Sequence, residues 1–211
     1  MNFLNIWKET TLIAVLIGFI VFVIALKIQI TNKKNKNDPI RKSNARFVWR
    51  ALLWSFFTAY LVFIPALTIF PLPSFNGPMP IHVWRNNIVL EVIAPIIRSA
   101  RTAQEYLGYN DSTPLYLFLY NTIGNLLLLM PFVIFMRILI TRRYTIIFVI
   151  ALGISLLIES SQGLLCYLSG VQYRIVDIND VILNITGASI MILCLGLIDG
   201  MSYVLGRLTK K

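Results

Sequence analysis

Five long apolar segments restrict this chain to the folds of a membrane protein. Each has about 20 or more mainly apolar residues, the length that an α-helix needs to cross the hydrocarbon core of a bilayer. The chain of 211 residues is 57% hydrophobic and 13% charged, whereas soluble domains are about 25% charged. We therefore predict an all-α fold, a polytopic membrane helix bundle. Its transmembrane helices, about five in number, are predicted over residues 11–30, 47–70, 115–140, 145–168 and 180–205.

The basic residues indicate the orientation of this bundle. Three basic clusters, within residues 31–46, 137–143 and 207–211, share one side of the membrane if the chain crosses it five times. Because Lys and Arg are enriched on the cytoplasmic side, we predict an N-terminus outside and a C-terminus in the cytoplasm. The net charge of +10 then reflects topology and contact with anionic lipid. Nucleic acid is not an expected partner, because the basic residues flank helices instead of forming a reading face.

The segment between residues 71 and 114 is predicted to face outward. Four prolines between residues 71 and 80 block a helix there. From about residue 84 to residue 107 apolar residues recur at helical spacing opposite a charged face, which is typical of an interfacial helix on the outer membrane surface. An irregular cap on the bundle is the alternative. We divide the chain into residues 1–46, an N-terminal transmembrane helix with a basic cytoplasmic loop, and residues 47–211, the main membrane domain.

Eight polar or charged side chains lie in the last three predicted spans or just outside them. They are Asn121, Asn125, Glu159, Gln162, Arg174, Asp177, Asp180 and Asn184. At 1.5 Å per residue, those within the spans fall within about 15 Å of the outer helix ends. Charge at the bilayer centre costs roughly 2.5–3.5 kcal/mol per residue on insertion scales, so ionisable groups in spans are functional candidates. We predict that the eight residues form one binding site that opens outward.

Helical spacing supports this convergence. Asp177, Asp180, Asn184 and Gly187 share one face if their helix begins by residue 177. Gly124 and Gly187 are expected to let helix backbones approach closely.

The residue types define what such a site can do. Arg174 can bind a phosphate or carboxylate with two hydrogen bonds, and Glu159 is the candidate catalytic acid or base. Two carboxylates alone, Asp177 and Asp180, are weak grounds for a metal site, and we predict no metal and no cofactor. The alternative is a structural network in which these side chains bridge helices.

Two motifs resemble the VanZ-like family of bacterial membrane proteins. The first is N-T-I-G-N-L-L-L-L-M-P at residues 121–131. The second is Ile158-Glu159-x-x-Gln162 followed by the pattern R-x-x-D-x-x-D-x-x-x-N-x-x-G, which begins at Arg174 and ends at Gly187. The resemblance covers about residues 84–205.

This resemblance implies a protein of the bacterial plasma membrane that lowers susceptibility to glycopeptide antibiotics such as teicoplanin. The partner it suggests is a cell-wall precursor or a lipid headgroup at the outward polar site. Two alternatives stay open. One is an intramembrane enzyme that acts on a phospholipid or polyprenyl lipid, and the other is a structural membrane subunit. The sequence gives neither the ligand nor the oligomeric state.

Overall fold

The computed structural model describes residues 16–24, 41–172 and 174–208, and most of these residues are helical. The chain divides into two compact units, Met1–Leu72 and Pro73–Lys211. In the first unit, residues 16–24 belong to a helix, α1, and Arg41–Thr68 form α2. The remainder of the predicted first span and most of the basic 31–46 loop lie outside the described residues.

The second unit contains seven helical segments and two short strands among its described residues. In chain order they are α3 (Ile81–Arg85), β1 (Ile88–Val89), α4 (Ala94–Leu107), α5 (Thr113–Leu128), α6 (Met130–Phe135), a π-helical turn (Met136–Ile140), α7 (Tyr144–Ser169), β2 (Val176–Asp177) and α8 (Ile178–Leu208).

The predicted membrane helix bundle is confirmed. Four helical stretches in the described part of the chain are long and apolar enough to cross a membrane, and they match the second to fifth predicted spans. They are Val48–Thr68, Thr113–Ile140, Tyr144–Ser169 and Ile178–Arg207. The count is four instead of five because only nine residues of the first predicted span, 16–24, are described.

The last three spans pack against one another in alternating directions. Their shared core includes Leu129, Val133, Ile147 and Ala151, each with at most a trace of exposed surface. Large apolar side chains on the outer faces of α7 and α8 remain exposed, as lipid-facing positions of a membrane bundle do. This arrangement brings the start of α5, the end of α7 and the start of α8 to one end of the unit, which we call the site end.

Gly187 is required for the packing of α8 against α5. A Cβ atom at Gly187 would lie 1.7 Å from the carbonyl oxygen of Leu126, so only glycine permits this approach. The prediction of close approach is therefore correct for Gly187 and wrong for Gly124, where an added Cβ would meet no atom of the described residues within 4 Å.

The predicted interfacial helix begins ten residues later than the sequence indicated. Residues 84–93 include the end of α3 and the strand β1, and α4 begins only at Ala94, with Pro95 in its first turn. Ile93 immediately before it has a φ of +67°, a conformation that a helix does not tolerate and a β-branched residue rarely adopts. The tertiary contacts of the 88–93 segment thus override its helical periodicity.

Helix α8 begins one residue too late to include Asp177 in the predicted polar face. Asp177 lies in β2 and α8 begins at Ile178, so Asp177 precedes the helical face. Its Oδ1 accepts the backbone amide of Asn179 at 2.9 Å. This hydrogen bond satisfies one of the free amides at the helix start, as side chains at the N-terminal cap do.

Candidate functional site

A two-residue parallel ladder brings the segment that contains β1 to the site end. β1 pairs with β2 in the register Ile88 with Val176 and Val89 with Asp177, and the Val176 amide donates to the Asn87 carbonyl at 3.0 Å. The ladder holds the backbone of Asp177, a predicted site residue, against Val89.

Asn179 joins the segment between β1 and α4 to α8. Its side chain is 1% exposed, and its Oδ1 accepts the Ile93 amide at 2.7 Å. Its Nδ2 donates to the Glu91 carbonyl at 2.8 Å and to Asp177 Oδ1 at 2.6 Å. These bonds satisfy the backbone around Ile93 and account for its unusual conformation. They also orient the Asp177 carboxylate.

Glu159 of α7 holds the end of β2, just before α8, by a hydrogen bond. Its side chain is 5% exposed, and its Oε2 accepts the Asp177 amide at 3.1 Å. Asp177, Asp180 and Arg174 all lie close enough to Glu159 to act on it electrostatically. The Asp177 amide and Arg174 favour a charged carboxylate at this depth, where an isolated buried charge is costly, whereas the carboxylates of Asp177 and Asp180 repel it.

Further contacts hold the segment between α7 and β2, and also α3, against α7. Cys166 Sγ lies 3.0 Å from the Arg174 carbonyl oxygen, to which it donates a weak hydrogen bond. The Trp84 indole donates to the Gly163 carbonyl at 2.9 Å and meets the Tyr167 ring edge to face. The backbone that carries Arg174 therefore lies over the end of α7.

A cavity of about 580 Å³ opens at the site end, between α4, α5, α8 and the segment before β2. Five of the eight predicted site residues line it, namely Asn121, Gln162, Arg174, Asp177 and Asp180. Its other lining is largely apolar and includes Pro95, Ile96, Phe118 and Leu183.

The other three predicted residues lie outside the lining. Asn125 hydrogen-bonds Asp180 and so belongs to the site through that carboxylate. Glu159 lies behind Asp177. Asn184 is 1% exposed and donates to Ser155 Oγ at 3.0 Å, while its buried Oδ1 accepts no hydrogen bond within the described part of the chain. Asn184 thus connects α8 to α7 at a deeper level.

Two contributors were missed from the sequence. Asn179 was overlooked because it stands between two aspartates of the second motif and falls off their spacing. Ser155 gave a usable signal, since it lies four residues before Glu159 and therefore on the same face of α7. Serine is so common in membrane helices, however, that its hydroxyl alone did not mark it.

Charged residues elsewhere at the site end are separate from the cavity. Glu91 and Arg98 form an ion pair of 2.7 Å with both side chains more than 60% exposed, and such surface pairs contribute little. Asp111 precedes α5 and accepts the Thr113 amide at 2.9 Å. This hydrogen bond holds the pKa of the exposed Asp111 carboxyl below its usual value.

The family model VanZ/LLP1 matches residues 57–199, about two thirds of the chain. The chain belongs to the VanZ/LLP1 family. The match begins before residue 84, where the resemblance of the motifs started, and it includes every residue of the candidate site. No curated protein and no solved structure matches the chain.

The geometry of this VanZ/LLP1 site suits binding of a polar group. One guanidinium, two carboxylates and four side-chain amides line one cavity, beside an apolar wall. Glu159 reaches the segment through the Asp177 amide and is not among the residues of the wall. Among the described residues, no group of three or more His, Cys, Asp or Glu side chains has an arrangement that could hold a metal ion.

Proposed function

We propose that this protein is a VanZ-like protein of the bacterial plasma membrane that binds a cell-wall precursor or lipid headgroup at its polar cavity. By this binding it lowers susceptibility to glycopeptides such as teicoplanin. The observation that carries the proposal is the cavity itself. Charged and amide side chains from α5, α7, α8 and the preceding segment meet beside an apolar wall, as binding pockets for amphipathic molecules require.

The depth of the cavity also supports the proposal. Asp180 lies in the first turn of α8, and Asn121 lies eight residues into α5, about 12 Å along the helix. Polar groups at this level meet the headgroup region of a bilayer and the first part of its hydrocarbon core. A headgroup can therefore reach the polar residues while its tail stays in lipid.

We propose further that the site end faces outward, with the N-terminus outside and the C-terminus in the cytoplasm. The short loop between the π-helical turn and α7 carries Arg142 and Arg143, and short loops with such charge stay cytoplasmic. Tyr109→Cys at the site end and Arg142→Cys at the opposite end test this, in a chain with Cys166→Ala and Cys194→Ala. A membrane-impermeant maleimide should label intact cells only at position 109. Labelling only at position 142 would reverse the orientation.

Complementation of a deletion strain tests the function. Arg174→Gln and Asp180→Asn should each return teicoplanin susceptibility to the level of the deletion strain, with membrane levels near wild type. Glu105→Gln removes an exposed carboxylate on α4 outside the cavity and should retain full resistance.

The same strains separate the alternatives. Full resistance in both cavity variants would refute the site. Loss of the protein from membranes instead of loss of resistance would favour a structural network, because removing one member of a buried polar cluster is itself destabilising.

A further inference from the structure

The charges at the cavity are unbalanced toward the negative. Arg174 is opposed by Asp177 and Asp180 on the wall, and Glu159 lies close enough to interact with all three. One positive and three negative groups give a formal sum of −2. With one carboxyl protonated the sum is still −1. A ligand that carries only negative charge would gain one partner in Arg174 and face repulsion from the rest.

The uncharged polar groups of the wall point the same way. Asn121 and Gln162 line the same cavity as the two carboxylates, and each side-chain amide has an acceptor oxygen beside its donor nitrogen, so the wall can add acceptors to those of Asp177 and Asp180. A primary ammonium has three N–H donors and no acceptor and matches such a wall. The two hydrogen bonds from Asn179 to Asp177 both fall on Oδ1, so the orientation of that carboxylate is set without a ligand.

The lining does not suit a quaternary ammonium. Choline-type groups carry no N–H donor, and proteins bind them in cages of aromatic faces. Phe118 is the aromatic side chain that lines this cavity in the described part of the chain.

Resting on the proposed function, we propose that the cavity selects a zwitterionic group that combines a primary ammonium with a phosphate or carboxylate. Asp177 and Asp180 bind the ammonium and Arg174 binds the anionic group, while the apolar wall at Ile96 and Leu183 accepts the adjoining chain. Two sources present this chemistry. One is an ethanolamine phospholipid headgroup, and the other is a wall-precursor peptide with a free side-chain amine and a terminal carboxylate.

Native mass spectrometry of the purified full chain in detergent tests the selectivity. The probes are phosphatidylethanolamine, phosphatidylcholine and phosphatidylglycerol with identical acyl chains. We expect the ethanolamine lipid to bind about tenfold tighter than either of the others, the gain of one charge-assisted hydrogen-bonded pair. Asp180→Asn should remove this preference by weakening ethanolamine-lipid binding, whereas Glu105→Gln should leave all three affinities unchanged.

A peptide arm identifies the source. Nα-acetyl-L-Lys-D-Ala-D-Ala, whose free ammonium is on the lysine side chain, should displace the ethanolamine lipid if the natural ligand is a wall peptide, and its Nα,Nε-diacetyl form should not. If the peptide fails to displace the lipid, the phospholipid is the source, and the proposal stands in either case.

Binding of phosphatidylglycerol as tight as that of phosphatidylethanolamine would overturn the proposed selectivity. If Arg174→Gln then abolished phosphatidylglycerol binding, the cavity would still be a headgroup site, as the proposed function requires, but it would not select zwitterions. Equal affinity for the ethanolamine and choline lipids would also overturn it. Failure of every probe to bind would overturn it as well, and the resistance assay would then decide the proposed function by itself.

Discussion

Substitution of Gly187 by alanine should separate helix packing from helix propensity in this bundle. A Cβ at position 187 would lie 1.7 Å from the Leu126 carbonyl oxygen. Carbon–oxygen contacts between packed helices lie at about 3.3 Å or more, so α5 and α8 would have to part by about 1.5 Å at this point. Overpacking of this kind costs about 1–3 kcal/mol and in some cases more.

Gly124→Ala is the matched control on the partner helix. An added Cβ there meets no atom of the described residues within 4 Å, so the change brings only the helix propensity of alanine, about 1 kcal/mol in favour of folding. The two variants carry the same chemical change and the same gain in helix propensity, so the difference in stability between them measures the cost of the close contact at Gly187.

Thermal unfolding in one detergent, followed by circular dichroism, measures both variants. Since 1 kcal/mol corresponds to about 2–4 °C for a chain of this size, Gly187→Ala should lower Tm by several degrees and Gly124→Ala should leave it level or raise it. Displacement of α5 also moves Asn121 and Asn125 away from Asp180, so Gly187→Ala should weaken ligand binding. A Gly187→Ala chain with wild-type Tm and binding would show that the helices do not approach as described.

Three further substitutions examine other contacts. Asn179→Ala removes three side-chain hydrogen bonds at about 1 kcal/mol each, so it should destabilise the unit by about 3 kcal/mol and speed hydrogen exchange at residues 88–93; unchanged exchange there would contradict its role. Ser155→Ala removes the hydrogen-bond acceptor of the buried Asn184 amide. It should lower the free energy of unfolding by about 1–3 kcal/mol, measured as a lower Tm. Asp199→Asn weakens the contacts of the half-exposed Asp199 carboxylate with Arg137 and Tyr144 at the opposite end. It should leave lipid binding unchanged, so a large loss of binding would show long-range coupling.

Much of the candidate site could be predicted because polar side chains in apolar spans avoid the lipid and face the interior of the bundle. In a segment such as α7, Glu159 and Gln162 lie three residues apart, so they must share a face. Their distance from the helix end follows from the rise per residue. The same arithmetic on α5 and α8 predicted that Asn121, Asn125 and Asn184 share a layer with them and that Asp180 lies above it.

The sequence by itself determined the membrane class, the four spans among the described residues and the level of the polar residues, since length, hydropathy and helical geometry are local properties. Only the tertiary structure decided that Ile88–Val89 pairs with Val176–Asp177 and that Ile93 takes a positive φ. Those features depend on Asn179, a residue more than 80 positions along the chain whose hydrogen bonds satisfy the loop backbone. Local periodicity carries no information on such a distant partner, and a buried backbone group must be paired wherever a partner exists.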